Sequence, residues 1–418
     1  MKSRFGQQFP RLSGQGEKPR RSSPVRVLKI APTSFFADYG CHVRIAEEIV
    51  ALRDQGIEVQ LCCYPGGRDT FGIGANRALG MPWDGVRVGS SKHRFHLDAL
   101  LTVKSLQVAL RFRPNVIHAH LHEGALIGYP ISRLLRVPLV FDFQGSLTSE
   151  MVDHNFLRRE SLAFRPLRTI ERNINHLPNM VITSSHNAAD MLIDAFGCQR
   201  ARVRAIPDAV NTSRFLPRWQ VSERLRRQRK QMLGVPENSQ VVVYLGLLAE
   251  YQGSGHLLRA AARICTRRAD VHFLVMGYPG QERYQSYAHQ LGIANRVTFT
   301  GRLPYEDAPL HLALGDVAVS PKISATEGNG KLLNYMAVGL PTVAFSTPVN
   351  REILSDLGEY ATPGNEEELS ARIEALLDDP PAAADRGRAL RVRAEEIFSW
   401  DVAAHEIIKI YESLSMGA

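Results

Sequence analysis

The sequence lacks the features that mark several classes of protein. Its five cysteines are odd in number and scattered, so they suit neither a disulfide framework nor a zinc motif. No window holds the roughly 18 consecutive apolar residues that a membrane span needs, and the first residues contain no apolar leader segment. We therefore expect a cytoplasmic protein, with at most a peripheral position at the inner face of a membrane.

The charge of the chain is concentrated in one segment. Residues 1–24 carry a net charge of +5, out of +9 for the chain of 418 residues. We interpret this segment as a disordered basic tail and the run Arg224–Lys230 as a solvated helix face. The run 224–230 contains no aromatic residue, and nothing else here resembles a nucleic-acid-binding module, so nucleic acid is not an expected partner. An anionic membrane is an open alternative, which Leu97–Arg113 could contact, although a buried packing helix is favoured there.

The remaining chain, with 44% hydrophobic residues, is typical of globular domains. Short apolar runs alternate with amphipathic stretches from residue 25 onward, and the alternation restarts after 217–236. This pattern predicts an α/β protein with two doubly wound, Rossmann-like domains that face each other across a cleft. We place the domains at 25–213 and 214–383, followed by helices at 384–418 that cross back to the first domain. Ligands of such sheets bind beyond the carboxyl ends of the strands.

Two segments of the first half contain candidate ligand-binding residues. Gly40 precedes a predicted helix over 41–54, where backbone N–H groups and the helix dipole favour an anion. The GxGxxG fingerprint is absent, so a nicotinamide cofactor is not supported. His118, His120 and His122 end the third strand run. Alternating strand residues share a face, so the three imidazoles could bind a metal or a substrate hydroxyl, or simply reach solvent.

The most specific segment is 326–341. Its glycine-rich loop opens a helix, and loop amides, helix dipole and Lys331 together suit a diphosphate. Glu327 could accept hydrogen bonds from sugar hydroxyls, and Asn334 could reach a ribose. A capped helix with surface charges is the alternative interpretation. The residues expected to surround the donor here are Gly328, Asn329, Gly330 and Leu332.

At this point the sequence resembles a known family, the family-4 retaining glycosyltransferases, which have the GT-B fold. The likeness runs from about residue 25 to 415, and six landmarks occur in the right order. They are the first strand with its Gly40 turn, Val116–His120, Val181–Ser185, Ile206–Phe215, Val297–Gly301 and Glu327–Pro341.

The resemblance implies a nucleotide-sugar donor held mostly by the second domain, and an unidentified acceptor (glycan, lipid or small molecule) on the first. It implies transfer with retention of anomeric configuration, without a metal or other cofactor. By the same resemblance Gly40 lies at the diphosphate, His120 near the donor sugar, Glu327 at sugar hydroxyls and Asn334 at the ribose. Three residues that follow a strand of the first domain are expected on the acceptor side: Asp142, Gln144 and Ser146.

The chain departs from the family pattern at two charged positions. The family has an Arg after Gly246 and a Lys before Gly253, both at the diphosphate, whereas this chain has Leu247 and Gln252. Loss of two charges should weaken transition-state stabilisation by several kcal/mol unless other groups replace them. We expect Lys331 to replace them, with Lys322 as the second choice.

The acidic motif of the family is altered too. Its two glutamates align with Thr326 and Asn334, so Glu327 is displaced by one residue. Two alternatives to a transferase therefore stay open. One is a catalytically inactive relative that binds a sugar nucleotide or glycan, and the other is a nucleotide-sugar epimerase.

Overall fold

The amino-terminal half of the protein forms a parallel sheet of seven strands in the order β3-β2-β1-β4-β5-β6-β7. The computed structural model describes residues 25–36, 40–80, 94–153, 156–324 and 328–416. The strands are β1 (Arg26–Ala31), β2 (Glu58–Cys63), β3 (Asn76–Arg77), β4 (Val116–His120), β5 (Leu139–Phe143), β6 (Met180–Thr183) and β7 (Val203–Ala205). The helices are α1 (Gly40–Asp54), α2 (Arg94–Phe112), α3 (Leu121–Leu135), α4 (Leu147–Asp153), α5 (Phe164–His176) and α6 (His186–Asp194).

The carboxyl-terminal half repeats this architecture with six parallel strands in the order β10-β9-β8-β11-β12-β13. Its strands are β8 (Gln240–Leu245), β9 (Val271–Met276), β10 (Val297–Phe299), β11 (Val317–Ser320), β12 (Thr342–Phe345) and β13 (Glu359–Ala361). Its helices are α7 (Glu223–Met232), α8 (Ser254–Arg267), α9 (Gln281–Gln290), α10 (Ala308–Leu312), α11 (Lys331–Val338), α12 (Pro348–Leu354), α13 (Glu366–Asp378), α14 (Pro380–Ile397) and α15 (Trp400–Met416).

The prediction of two doubly wound α/β domains is confirmed. Central strands such as β4, β5 and β9 are buried along their whole length, as expected for parallel strands covered by helices on both faces. In each sheet the strand order reverses at the first strand of its domain, between β1 and β4 and between β8 and β11. These reversals open crevices at the carboxyl ends of the strands, which is where open α/β sheets bind ligands.

The last two helices divide between the domains. Helix α14 packs against α11 of the second domain, and the guanidinium of Arg391 donates to the Phe215 and Ala337 carbonyls. Helix α15 packs against α1 of the first domain, where the Tyr411 hydroxyl lies 2.6 Å from His118 Nδ1. The predicted boundary at residue 384 falls inside α14, because this helix already begins at Pro380.

Helix α2, for which a packing role and a membrane contact were both weighed, is buried on one side and exposed on the other. Leu101, Ser105 and Ala109 are buried against the sheet, whereas Phe95 and Val103 are 86% and 56% exposed. In the part of the chain that the structure describes, no helix is long and apolar enough to cross a membrane.

Candidate functional site

A cavity of about 490 Å³ lies between the two sheets at the carboxyl ends of their strands. The first domain contributes residues that follow β1, β4, β5 and β6, and the second contributes residues that follow β8, β9 and β11. The nine predicted site residues on its wall are Gln144, Gly246, Gln252, Lys322, Gly328, Asn329, Gly330, Lys331 and Asn334.

Lys331 contributes a positive charge to the second-domain wall of the cavity. Its Nζ donates to Gln252 Oε1 at 2.7 Å and lies 4.6 Å from the centroid of the Tyr244 ring, a cation–π distance. A Cβ added to Gly246 would be 2.8 Å from that Nζ, so a larger residue there would push the ammonium aside. Helix α11, which carries Lys331, is held to β8 by a hydrogen bond of 2.8 Å from Leu245 N–H to the Tyr335 hydroxyl. The ammonium therefore has a fixed position at the end of β8.

Hydrogen bonds to neighbouring segments hold the loop 328–330, which precedes α11, in place. The Asn329 amide donates to Ser320 Oγ at 2.9 Å and to Asn350 Oδ1 at 2.7 Å. Lys322 Nζ donates to the Gly328 carbonyl at 2.7 Å. Gly330 is the N-cap of α11 and has no side chain to accept hydrogen bonds from the first turn. Because Gly330 and Lys331 line the cavity, the positive end of the helix dipole faces it. Loop amides, helix dipole and two lysines give this wall of the cavity a positive potential, which favours anions.

The first-domain wall contains a buried arginine that the sequence analysis did not single out. Arg44 lies on α1, one turn after Gly40, and its guanidinium contacts Asp142 with two hydrogen bonds of 3.1 Å. A third bond, of 2.5 Å, joins it to Asp208 Oδ1. Burial alone would raise the pKa of Asp142, but Arg44 and the hydrogen bond from His120 hold it well below its usual range. At Asp208 the effect of burial, which raises the pKa, is larger than the opposite effect of Arg44, so the pKa of this carboxyl is raised.

His120 lies behind the wall rather than on it. The side chain is fully buried; its Nδ1 lies 2.9 Å from Asp142 Oδ2, and its Nε2 lies 3.4 Å from Lys29 Nζ. Gln144, which lines the cavity, donates to the same Asp142 oxygen at 2.9 Å. Burial and the nearby Lys29 lower the pKa of His120, so the imidazole is neutral near pH 7. His120 is therefore connected to the cavity only indirectly, because it contacts Asp142, which accepts a hydrogen bond from the cavity-lining Gln144.

The three histidines at the carboxyl end of β4 and just beyond it do not converge as a metal site. The rings of His118 and His120 stack with centroids 4.7 Å apart, whereas His122 packs edge-on against Phe141 and Phe143. The reason is local: β4 ends at His120, and α3 begins at Leu121, so the alternation of strand side chains stops before His122. The metal hypothesis for this trio is therefore wrong.

Another buried group brings ligand-type atoms together. Oxygen and nitrogen atoms of Glu48, His118, His120 and Asp142 lie within 4.8 Å of one another. However, Lys29 Nζ lies 2.5 Å from Glu48 Oε1, and Arg44 pairs with Asp142. Each buried carboxylate thus has its own cation, and charge balance here requires no metal ion.

Four other predicted residues lie away from the cavity wall or outside the described structure. Ser146 is buried and its Oγ accepts a hydrogen bond from Arg168. The Leu332 side chain packs in the core rather than toward a ligand, because its position on α11 faces the sheet. Gly40 is the first residue of α1, which places the start of that helix at the cavity. Glu327 lies outside the described residues.

Two of the residues that sequence reasoning missed had a detectable signal. Asp208 belongs to the Ile206–Phe215 landmark, and Tyr244 ends a strand run of the second domain. Arg44 gave only a weak signal, as a charged residue one turn after Gly40.

Comparison with known proteins agrees with this geometry. Residues 39–209 match the family model described as glycosyl transferase 4-like domain, and residues 226–393 match the model described as glycosyl transferases group 1. The chain belongs to this glycosyltransferase family. The two matched regions correspond to the two Rossmann-like domains, and the cavity of the glycosyltransferase lies between them.

Curated relatives of the glycosyltransferase act on different substrates. It is 26% identical over 332 residues to 2-deoxystreptamine glucosyltransferase of Streptomyces kanamyceticus, covering 76% of this chain and 81% of the relative. It is also 26% identical to D-inositol 3-phosphate glycosyltransferase of Corynebacterium jeikeium, covering 72% of each chain. The GDP-mannose-dependent alpha-(1-6)-phosphatidylinositol monomannoside mannosyltransferase of Mycolicibacterium smegmatis is 30% identical over 56% of this chain and 62% of its own.

Solved structures share the GT-B fold of the glycosyltransferase. Sucrose-phosphate synthase from Thermosynechococcus elongatus superposes with a TM-score of 0.79 at 18% identity, covering 94% of this chain and all of the other. HepE from Anabaena, solved with UDP and glucose, superposes with a TM-score of 0.75 at 19% identity, covering 93% and 100%. At such identities the likeness establishes the fold alone.

Proposed function

We propose that the protein transfers a sugar from a nucleoside diphosphate sugar to an acceptor bound on the first domain, with retention of configuration and without a metal. The observation that carries this proposal is the positive wall of the cavity around Lys331, the loop 328–330 and the amino terminus of α11. By the family resemblance, the donor diphosphate is expected on this side of the cavity, where Lys331 and Lys322 lie. HepE was solved in complex with UDP and glucose, which supports the same ligand class here.

The first chemical step is stabilisation of the leaving group. As the bond between the anomeric carbon and the diphosphate oxygen breaks, negative charge grows on that oxygen. Lys331 and the α11 dipole are fixed before the reaction, so they stabilise this charge without reorganising. Lys322, held by the Gly328 carbonyl, adds a second positive charge to the same wall.

The second step is attack by an acceptor hydroxyl. The acceptor oxygen forms a bond to the anomeric carbon on the face from which the diphosphate departs, and its proton passes to the departing phosphate oxygen. The family resemblance supports this route; Asp208 lines the cavity but is already paired with Arg44. Glu150 also lines the cavity, and an inverting reaction would point to it as the base.

His120 is proposed to act as a positioning residue. It forms a hydrogen bond with Asp142, and Asp142 in turn orients Gln144 and Arg44, which both line the cavity. We infer that Gln144 contacts bound sugar, on either the donor or the acceptor side. Asn334, half-buried on α11 and on the cavity wall, is proposed to contact the ribose.

A calorimetric titration in EDTA tests the proposal. Purified protein is titrated with UDP, GDP and ADP and with their common sugar conjugates, followed by proton NMR of the anomeric centre in the presence of candidate acceptors. Micromolar binding of one nucleotide in EDTA, with a product of retained configuration, supports the proposal. Absence of binding by all three nucleotides would favour an inactive relative, and inversion at the anomeric centre would contradict the retaining mechanism.

A further inference from the structure

One face of the first domain is both basic and apolar. Helix α3 lies between α2 and α5 and contacts both, so the three helices form one layer on one side of the sheet. Over the described residues 94–136 and 156–176, which contain this layer, eight arginines are exposed, whereas Glu160 is the one exposed acid. Such an excess of positive charge creates a field that attracts an anionic surface.

The same layer also exposes an unusual amount of apolar surface. Large apolar side chains reach solvent on α2 (Phe95, Val103, Leu110) and on α3 (Leu126, Leu134). Others do so on the segment before α5 and on α5 itself (Phe156, Leu162, Ile170). These are eight of the seventeen large apolar side chains exposed in the described structure. Leu162 is 96% exposed, on a turn that also carries Arg158 and Arg159.

The combination of exposed arginines and exposed apolar side chains suits a lipid surface better than a nucleic acid. Nucleic-acid backbones attract arginine but offer no apolar phase for leucine and phenylalanine to enter. A lipid surface offers both, because phosphate headgroups pair with arginine while leucine and phenylalanine enter the acyl boundary. We propose that the outer face of α2, α3 and α5 docks onto an anionic lipid bilayer.

The docking face adjoins the cavity. Glu150 of α4 lines the cavity, and the carbonyl of its neighbour Met151 accepts hydrogen bonds from Phe156 N–H at 2.8 Å and Leu157 N–H at 3.0 Å. These bonds tie the start of the basic segment to the first-domain wall. A bilayer on this face therefore lies beside the acceptor side of the cavity. The inference does not depend on the proposed transfer, since vesicle binding requires no turnover.

Vesicle co-sedimentation tests the proposal. The full-length protein is mixed with vesicles of phosphatidylcholine alone, or of phosphatidylcholine and phosphatidylglycerol at about 7:3, at two salt concentrations. We expect binding to the anionic vesicles only, weakened by salt, because the Debye length is about 10 Å at 0.1 M and shrinks as salt is added. Absence of binding to anionic vesicles at low salt would overturn the proposal.

Two variants of the face separate its charge from its apolar surface. The variant Arg133→Glu/Arg158→Glu/Arg165→Glu should lower the partition coefficient by at least roughly 100-fold, since each arginine near an anionic surface contributes about a factor of five and each new glutamate adds repulsion. The variant Phe95→Ser/Leu134→Ser/Leu162→Ser keeps the charge and should lower it at least about tenfold. All six side chains are exposed, so the thermal unfolding midpoint should not change.

The matched control lies on α7 of the second domain, which carries exposed basic and apolar side chains as well. Arg224→Glu/Leu225→Ser/Met232→Ser should leave vesicle binding unchanged. An equal loss in this control would mean that any cationic helix suffices, and would overturn the proposal. Undiminished binding by the serine variant, together with capture of a single-stranded oligonucleotide, would also overturn it and indicate a general polyanion surface.

Discussion

The Nζ of Lys331 lies 2.7 Å from Oε1 of Gln252, although the two residues are 79 positions apart in the chain. The family has a lysine at the position of Gln252, where this chain has none. Because α11 brings the Lys331 ammonium next to Gln252, Lys331 is our candidate to supply the charge that the family pattern has at that position. Gln252 accepts a hydrogen bond from this ammonium and fixes its direction.

This relationship predicts a charge-relocation experiment. Lys331→Ala should lower kcat/KM about 100-fold, the usual effect of removing one preorganised donor to a developing anion. Adding Gln252→Lys to that variant should recover at least tenfold, because the new ammonium can reach the same position. Turnover of nucleotide sugar measures both variants. Near wild-type turnover of Lys331→Ala would contradict the role of Lys331, and the exposed Lys409→Ala serves as the control.

Gly246 provides a second probe of the same ammonium. A methyl group there would contact Lys331 Nζ, so Gly246→Ala should displace the ammonium and weaken nucleoside diphosphate binding about as much as Lys331→Ala does. Its φ of +148° also strains an alanine backbone. Gly292 has a φ of +71° and open space around its Cα, so Gly292→Ala should lower stability by about 1 kcal/mol without changing affinity. Calorimetry and thermal unfolding separate the two effects; unchanged affinity in Gly246→Ala would argue against the placement of Lys331.

The buried pair of Arg44 and Asp142 predicts a large loss of stability. Arg44→Met should lower the free energy of unfolding by about 3–5 kcal/mol, because it leaves the Asp142 carboxylate buried without its cation. The double variant Arg44→Met/Asp142→Asn should lose less than the sum of the single losses. Urea denaturation measures all three, with Lys409→Met of an exposed pair as a control that should change stability by less than about 1 kcal/mol. Strict additivity would show that the two groups are not coupled.

The buried histidines predict how stability depends on pH. Burial lowers the pKa of His118 well below 6.5 and also lowers the pKa of His120 and His122. Around and below pH 6.5 each of them therefore binds fewer protons in the folded state than in the unfolded chain, so protons are taken up on unfolding. The free energy of unfolding should decrease as pH falls from about 7 to 5.5, by up to about 1.4 kcal/mol per pH unit for each histidine.

A slope measurement checks this dependence. Urea denaturation across that pH range should give a shallower slope for His118→Gln than for the wild type. The matched variant His405→Gln, at an exposed position, should leave the slope unchanged. Equal slopes for wild type and His118→Gln would mean that His118 is protonated in the folded protein.

The strands could be predicted because apolar runs and helical spacing are local properties of the chain. The runs at Leu139–Phe143, Met180–Thr183 and Val271–Met276 coincide with β5, β6 and β9. The strands that had no clear signal are β3, β7 and β13, which are only two or three residues long. So short a segment presents too few alternating positions to stand out, and it pairs only because a sheet edge already exists.

The candidate site was predictable in part. Lys331 and the glycines beside it could be placed at a ligand, since the loop and the helix start are adjacent in sequence. The position of His120 behind Asp142 could not, because it depends on the register of β4 with β5, where His120 pairs with Asp142. Arg44 could not be predicted for the same reason, as both of its carboxylate partners are at least 98 residues away.

By itself the sequence determined the order of strands and helices, the two Rossmann-like domains and the family, because each of these depends on local patterns and on motifs in a fixed order. The tertiary structure alone decided which charges are paired, which predicted residues line the cavity, and which face of the first domain combines arginine with exposed apolar side chains. The physical reason is that side-chain pairing and exposure depend on which distant segments the fold brings together, and no local pattern encodes that proximity.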